Sequence, residues 1–121
     1  MKAHELISTS IIHLHPDDDG NKAIEMMEEM KVHHLPVVRN DFYLGTISEN
    51  EILSWQDTSE FISEHLDELN SPSIMHSQHL FDIIEKIEQN SISVIAVLDE
   101  QNHYLGAVSY THLTLPTILL V

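Results

Sequence analysis

The chain has 121 residues, which suits one ordinary domain or two very small ones. Its 20 acidic residues face only 5 basic ones, and this balance excludes nucleic-acid binding through the phosphate backbone. An apolar content of 42% is nevertheless enough to build a core. The absence of cysteine excludes disulfides, thiol catalysis and thiolate metal sites. No apolar stretch approaches the roughly 20 residues of a membrane span, and the start has no apolar signal core, so we expect a cytoplasmic protein.

The first half of the chain alternates between helix and strand patterns. Apolar residues at helical spacing predict an amphipathic helix over residues 21–31. Two short apolar runs, residues 35–38 and 43–47, flank a polar turn and predict a β-hairpin. Ser48 and Glu51 then fit a capping box, in which each side chain accepts a backbone N–H at the start of a helix.

The same patterns return after a polar, helix-prone stretch, with a helix predicted over residues 80–89 and strands over 93–98 and 104–108. A shift of 60 places Ile24-Glu25 on Ile84-Glu85, and after one extra turn residue a shift of 61 places Tyr43-Leu44-Gly45 on Tyr104-Leu105-Gly106. The chain therefore contains an internal repeat of about 60 residues in two copies.

Each copy has the order strand, helix, strand, strand, helix, and one copy is too small to bury much surface alone. We expect the two copies to pack sheet to sheet and to leave clefts at their junction, related by pseudo-symmetry. The predicted segments are a first repeat over residues 1–58, a helical connector over 59–70 and an incomplete second repeat over 71–121.

The ordered series, occurring twice, resembles a tandem pair of CBS domains (cystathionine-β-synthase-type domains, also called a Bateman module). The resemblance implies an α/β (α+β) fold in which each copy is a small three-stranded sheet with two helices, the copies being related by a pseudo-two-fold axis. It also implies a regulatory module and not an enzyme. The segments that carry it in the first copy are Leu6-Ile7-Ser8, Ile12, Leu14, Pro16-Asp17-Asp18, Ala23-Ile24-Glu25-Met26-Met27, His34-Leu35-Pro36-Val37-Val38 and Tyr43-Leu44-Gly45-Thr46-Ile47-Ser48.

By this resemblance, five residues of the first copy are candidate ligand contacts. Ser48 stands where the family holds the phosphate side of a nucleotide, and Glu51 replaces the Asp that holds the ribose hydroxyls. Ser8 matches an early Ser or Thr, and Pro36 lies where backbone groups frame an adenine. His34 falls where the family often has a basic residue near the cleft. The equivalents in the second copy are Ser109, Ala96 and His112, the last of which departs from Asp.

The resemblance implies a homodimeric sensor of AMP, ADP or ATP that acts on an attached domain or a partner. Phosphate recognition usually needs Arg or Lys, which are scarce here, so AMP or adenosine is favoured over ATP. One alternative is a ligand-free dimerisation or protein-interaction scaffold, in which Ser48 and Glu51 only cap a helix. A second alternative is a metal sensor, because neutral imidazoles such as those of His13, His15 and His33 ligate transition metals; we assign no metal site.

The end of the chain departs from the repeat. Residues from about 108 resemble a translated sequencing adapter, with a closing β-like strand as the rival interpretation. The second copy requires a helix after Ser109, yet the threonines there and Pro116 disfavour one. We therefore expect a C-terminal truncation that removes the last helix and any domain that naturally follows, so that Ser109 and His112 are unsafe as site residues.

Overall fold

A computed structural model describes residues 2–8 and 11–109. The helices predicted over residues 21–31 and 80–89 and the four predicted hairpin strands are present to within one residue at either end. Two 3-10 segments are also present. Ala3–Glu5 precedes the first strand expected in the first repeat, and Ile62–Glu68 precedes the first strand of the second repeat. The predictions for the tail beyond residue 109 lie outside the described residues. The elements are α1 (Gly20–Met30), β1 (His34–Arg39), β2 (Phe42–Ser48), α2 (Glu49–Leu53), β3 (Ser73–Met75), α3 (Leu80–Asn90), β4 (Val94–Leu98) and β5 (Tyr104–Ser109).

The two long helices end in the same way at equivalent positions. Helix α1 begins at Asp19, whose side chain accepts the Lys22 N–H at 2.8 Å, as an N-cap should. It ends at Lys31, which has the left-handed conformation with φ of 58°. Helix α3 ends at Ser91 with φ of 52°, sixty residues later. This shared geometry is what a structural repeat requires.

The sheets differ between the repeats. In the first, β1 and β2 form an antiparallel pair, and in the second, β3 lies parallel to β4 and β4 antiparallel to β5. The prediction of three strands in each copy is therefore met only in the second. In the first copy the third strand is reduced to one bridge, in which Leu14 donates to the Pro36 carbonyl at 2.8 Å and accepts from Val38 at 2.9 Å.

Two prolines account for the missing strand. Pro36, unlike its equivalent Ala96, has no N–H to donate to the segment before Leu14, and Pro16 ends the ladder on the other side of Leu14. The next donor along this parallel ladder would be Pro16, which has no N–H, so the hydrogen bonding stops there. The equivalent position of the second repeat is His76, whose N–H donates to the Leu98 carbonyl at 2.9 Å and extends the ladder.

Two equivalent glycines let an outside segment approach each hairpin. Gly45 and Gly106 have φ of 149° and 156°, a region that L side chains rarely adopt. A Cβ at Gly45 would lie 2.7 Å from Cβ of Leu69, and one at Gly106 would lie 2.5 Å from Cγ2 of Ile7. The connector therefore packs on β2, and the N-terminal segment packs on β5.

Each repeat closes its core with residues from outside itself. The first core includes Ile62 of the connector together with Val94 and Ala107 of the second repeat. The second core includes Ala3, whose N–H donates to the Gln78 carbonyl at 2.8 Å. The repeats thus form one packed unit, as expected from the small size of a single copy.

The connector, predicted as helical over residues 59–70, is a 3-10 segment that a histidine ties down. The ring of His65 stacks on Trp55 with centroids 3.8 Å apart. Its Nδ1 lies 2.5 Å from Glu68 Oε2 and its Nε2 lies 3.0 Å from Glu60 Oε1. Burial alone would lower the pKa of His65, but the hydrogen bonds and charges of Glu68 and Glu60 raise it above its ordinary value. The carboxylates of Glu60 and Glu68 therefore fix the ring of His65 within the connector, and the stacking of that ring on Trp55 holds the connector against the first repeat.

In residues 2–8 and 11–109, no helix is both long enough and apolar enough to cross a bilayer.

Candidate functional site

A cavity of about 260 Å³ lies where the two repeats meet. Its walls come from both copies and from the end of the connector. The first copy contributes through β1, β2 and the start of α2, and the second through the segment before β3 and the end of α3. The lining residues are His34, Thr46, Ser48, Glu51, Asn70, Pro72, Asn90 and Ile92. This is a cleft of the kind that the repeat predicts.

The capping box predicted from sequence forms one wall. The Ser48 hydroxyl accepts the Glu51 N–H at 3.1 Å, and Glu51 Oε1 accepts the Ser48 N–H at 3.2 Å. Each side chain keeps further capacity, because the Ser48 O–H can still donate and the second oxygen of Glu51 can still accept. The helix cap and a ligand-contacting role are therefore compatible in the same pair.

His34 lines the cavity, and one of its two ring nitrogens already makes hydrogen bonds within the protein. Its Nδ1 accepts the Ser93 N–H at 3.2 Å and lies 3.0 Å from the Ser93 hydroxyl. Burial, with a smaller contribution from the charge of His33, lowers the pKa of His34. The ring is accordingly neutral near pH 7, with its proton on Nε2. That N–H is a donor for an acceptor in the cavity.

Tyr43 supports the cavity from behind. Its hydroxyl donates to the Pro72 carbonyl at 3.0 Å and lies 2.6 Å from Thr46 Oγ1, so the threonine hydroxyl donates to it. Burial raises the pKa of Tyr43 to about 12, although the hydrogen bond to Thr46 opposes the shift. The Thr46 N–H also donates to the Asn70 carbonyl at 2.6 Å. Tyr43 and Thr46 therefore join the walls that the two repeats supply.

The charge of the lining is slightly negative. Glu51 is its one carboxylate, and neither Lys nor Arg is among the described residues that line it. The Asn90 amide nitrogen donates to the Lys86 carbonyl at 2.8 Å, which leaves its oxygen as an acceptor. The cavity offers hydroxyl, amide, imidazole and carboxylate groups and no cation, so it suits a polar ligand of low charge.

Of the five predicted site residues, the structure brings three together in this cavity: His34, Ser48 and Glu51. Pro36 is buried in β1, where its carbonyl accepts from Leu14, and it does not line the cavity. Ser8 lies beside β5, since its N–H donates to the Ala107 carbonyl at 2.8 Å. Ser8 therefore belongs to the opposite side of the junction, away from Ser48.

Sequence analysis missed the lining residues that come from the connector and the second repeat. Asn70 and Asn90 are the polar ones among them, and neither belongs to a motif by itself. The signal lay in the alignment of the two copies, where Asn90 falls on Met30. A polar residue at a position that is apolar in the other copy marks a surface that the repeat does not use for its core.

The histidine-based metal hypothesis finds no geometric support in the described part of the chain. No group of three or more His, Asp or Glu side chains there is placed to hold an ion. His13 lies edge-on to Tyr104 with ring centroids 5.4 Å apart, and His15 lies 3.4 Å from Asp17 on the surface. The histidines named in the hypothesis are therefore scattered.

Comparison with known proteins agrees with the repeat. A family model described as the CBS domain matches residues 3–57 and again residues 66–115. The inosine-5'-monophosphate dehydrogenase of Methanocaldococcus jannaschii is 23% identical over 111 residues, covering 89% of this chain. The chain spans only 22% of the length of that curated relative.

Two solved structures share the fold over 99% of this chain. A CBS domain pair/ACT domain protein from Thermotoga maritima has a TM-score of 0.81 at 15% identity, with 98% of that chain covered. A CBS domain protein from Pyrobaculum aerophilum complexed with AMP has a TM-score of 0.79 at 17% identity, with 96% covered. Because the family model matches most of the chain in two successive copies, this protein belongs to the CBS domain family as a tandem pair, which is a regulatory module.

Proposed function

We propose that the cavity between the repeats binds an adenine nucleoside or its monophosphate and thereby regulates an attached domain or a partner protein. The observation that carries the proposal is the convergence of His34, Ser48 and Glu51 with two asparagines in one inter-repeat cavity. The AMP complex of the Pyrobaculum aerophilum protein, which has the same fold, supports the choice of ligand class.

The lining matches the parts of a nucleoside. The second carboxylate oxygen of Glu51 can accept from a ribose hydroxyl, and the Ser48 O–H can donate to a ribose or phosphate oxygen. Asn70 and Asn90 carry amides that suit the hydrogen-bonding edge of a purine, and Ile92 offers an apolar contact for its face.

Size and charge favour a nucleoside or monophosphate over ADP and ATP. The cavity of about 260 Å³ falls just under the roughly 300–1,000 Å³ typical of pockets for drug-sized ligands. Polyphosphates are normally bound by Arg or Lys, and this lining has neither among the described residues. The net charge of −15 makes the surrounding field unfavourable for further negative charge.

Regulation follows from the shared walls. Because both repeats supply lining residues, a bound ligand contacts both copies and favours the relative placement in which all contacts are made. A ligand shifts a conformational equilibrium by its differential affinity for the two states. The same reasoning applies to the placement of two chains in a homodimer, which we retain as part of the proposal.

Thermal denaturation with and without ligand tests this proposal. At a ligand concentration of about 100 Kd, stabilisation amounts to about 2.7 kcal/mol, which raises Tm by several degrees. We expect this rise with adenosine and AMP, a smaller one with ATP, and its loss in Ser48→Ala. Since that variant also loses a helix cap, the ligand-induced rise and not the starting Tm is compared, with the exposed Ser77→Ala as the matched control.

Three outcomes would contradict the proposal. A rise that persists in Ser48→Ala would place the ligand elsewhere. No rise with any adenine compound, in a protein that dimerises with concentration, would favour the ligand-free scaffold. A rise with Zn²⁺ or Ni²⁺ alone would favour a metal sensor.

A further inference from the structure

The connector between the repeats is interrupted at His65. The 3-10 segment Ile62–Glu68 changes direction there, because His65 has non-helical dihedral angles with φ of −125° and ψ of 20°. The chain is fixed on either side of this point. Ile62 is fully buried in the first core, and the Asn70 carbonyl accepts the Thr46 N–H at 2.6 Å. Movement of the connector about His65 is therefore limited to the few residues between these two anchors.

Three side chains form a closed set of contacts at this point. The ring of His65 stacks on the indole of Trp55, with centroids 3.8 Å apart and planes inclined by 9°. The indole Nε1 donates to Glu68 Oε1 at 3.3 Å, and Glu68 Oε2 lies 2.5 Å from His65 Nδ1. Trp55 follows α2 of the first repeat, whereas His65 and Glu68 belong to the connector. These contacts therefore join the connector to the first repeat.

The arrangement requires a proton on each ring nitrogen of His65. The Nδ1 faces Glu68 and the Nε2 lies 3.0 Å from Glu60 Oε1, and an ionised carboxylate can only accept a hydrogen bond. A neutral imidazole has a single N–H, so one of its nitrogens would direct a lone pair at a carboxylate. An imidazolium donates to both carboxylates, and its charge is also attracted to the face of the indole. Because the side chain of His65 is only 14% exposed, water can replace little of what a neutral ring loses.

The charges that act on His65 come from the connector itself. Backbone hydrogen bonds from Ile62 and Ser63 place the connector against the loop before α1. The remaining charged or titratable groups of that loop, of the first turn of α1, of α2 and of the connector are His15, Asp17, Asp18, Asp19, Lys22, Glu49, Glu51, Asp57, Glu64 and Asp67. The ion pairs of His65 with described residues are nevertheless those with Glu60 and Glu68. Burial lowers the pKa of His65, but the hydrogen bonds and charges of these two carboxylates raise it above its ordinary value.

We propose that these contacts form a pH switch between the connector and the first repeat, closed when His65 carries a charge and open when it does not. The switch consists of Trp55, Glu60, His65 and Glu68. When it is closed, the imidazolium joins the two carboxylates and stacks on the indole. When it is open, one carboxylate contact is lost and the stack is weakened, so the connector can move about His65 while Ile62 stays in the core. Protonation of histidines is a known means of biasing a two-state contact.

The direction of the pH dependence follows from the raised pKa. The folded chain binds the His65 proton more tightly than the unfolded chain, whose histidine has the ordinary pKa of 6.5. The contribution of the switch to stability is therefore complete below pH 6.5, and it is lost as the pH rises through the pKa of the folded state. No ligand takes part, so the switch is independent of the proposed function.

Trp55 is the only tryptophan of the chain, so its fluorescence reports the switch directly. A protonated imidazole stacked on an indole quenches its emission more strongly than a neutral one. Between about pH 5.5 and pH 9, we expect the emission of the full chain to rise with a midpoint above 6.5. His65→Gln should abolish this rise. His103→Gln, which alters a histidine paired with Asp99, should leave the rise unchanged.

Glu60→Gln tests the carboxylate contact without altering the stacked rings. Loss of this negative partner should shift the midpoint toward 6.5. Glu64→Gln is the matched control, because the Glu64 carboxylate accepts the Phe61 N–H and should not affect the midpoint. The difference in Tm between the unmodified chain and His65→Gln should also be larger at about pH 6 than at about pH 9.

Four results would overturn the inference. The first is an emission that does not change with pH, and the second is a midpoint at or below 6.5. The third is a rise that persists in His65→Gln, and the fourth is a midpoint that Glu60→Gln leaves unmoved. All four are measured without ligand, so none of them bears on the proposed function.

Discussion

Replacing Ile62 by alanine is expected to lower the free energy of unfolding by about 2–5 kcal/mol, the range for emptying a closely packed aliphatic site. Ile62 is fully buried in the first core, although it lies in the connector and not in either repeat. Its N–H donates to the Asp18 carbonyl at 3.0 Å, so the backbone is fixed beside the side chain. The site is therefore poorly able to collapse around a smaller residue.

Urea denaturation measures this effect as a lower midpoint at unchanged m-value. Phe61→Ala is the matched control, because this neighbouring side chain is 52% exposed and its truncation should change stability by about 0.5 kcal/mol or less. A loss below about 1 kcal/mol for Ile62→Ala would mean that the connector is not part of the core.

The second large effect is expected at Gly20, where alanine should cost about 1–3 kcal/mol, the range for overpacking a core. A Cβ there would lie 2.7 Å from Cγ2 of Ile52 and 3.0 Å from Trp55, and closer still to the Thr58 carbonyl. Glycine-to-alanine changes normally stabilise a helix by up to about 1 kcal/mol, so the sign of the effect decides whether the contact is tight. Leu80 holds the equivalent position in α3, which shows that the neighbours and not the helix require the glycine.

Chemical denaturation of Gly20→Ala, beside the exposed α1 variant Glu25→Ala, provides the measurement. Glu25→Ala should be close to neutral. If Gly20→Ala proved as stable as the unmodified chain or more so, α1 and α2 would pack less closely than the structure has them.

Most of the fold could be predicted from the internal repeat of the sequence. Periodicity located α1, α3 and both hairpins, because helices and hairpins are set by local patterns of apolar residues. The strand that was expected before α1 did not form, since Pro16 and Pro36 lack the N–H groups that their counterparts His76 and Ala96 have. That outcome depends on hydrogen bonds between segments more than twenty residues apart, which periodicity does not register.

The candidate site was only half accessible from sequence. Ser48 and Glu51 were found because a capping box has a fixed spacing along the chain. Asn70 and Asn90 face them only through the packing of the connector and the second repeat, and nothing local to either residue marks them. Ser8 was predicted to lie in the same site as Ser48. The segment before each repeat, however, packs on the hairpin of the other repeat, so Ser8 lies beside β5.

A crystal structure of the chain grown with AMP tests the central claim most directly, because it shows both where a ligand binds and which repeat contacts it. We predict one AMP in the cavity between the repeats, with its ribose hydroxyls in hydrogen-bond contact with Glu51 and its base against Ile92. An AMP bound outside this cavity, or a cavity still empty at saturating AMP, would contradict the account.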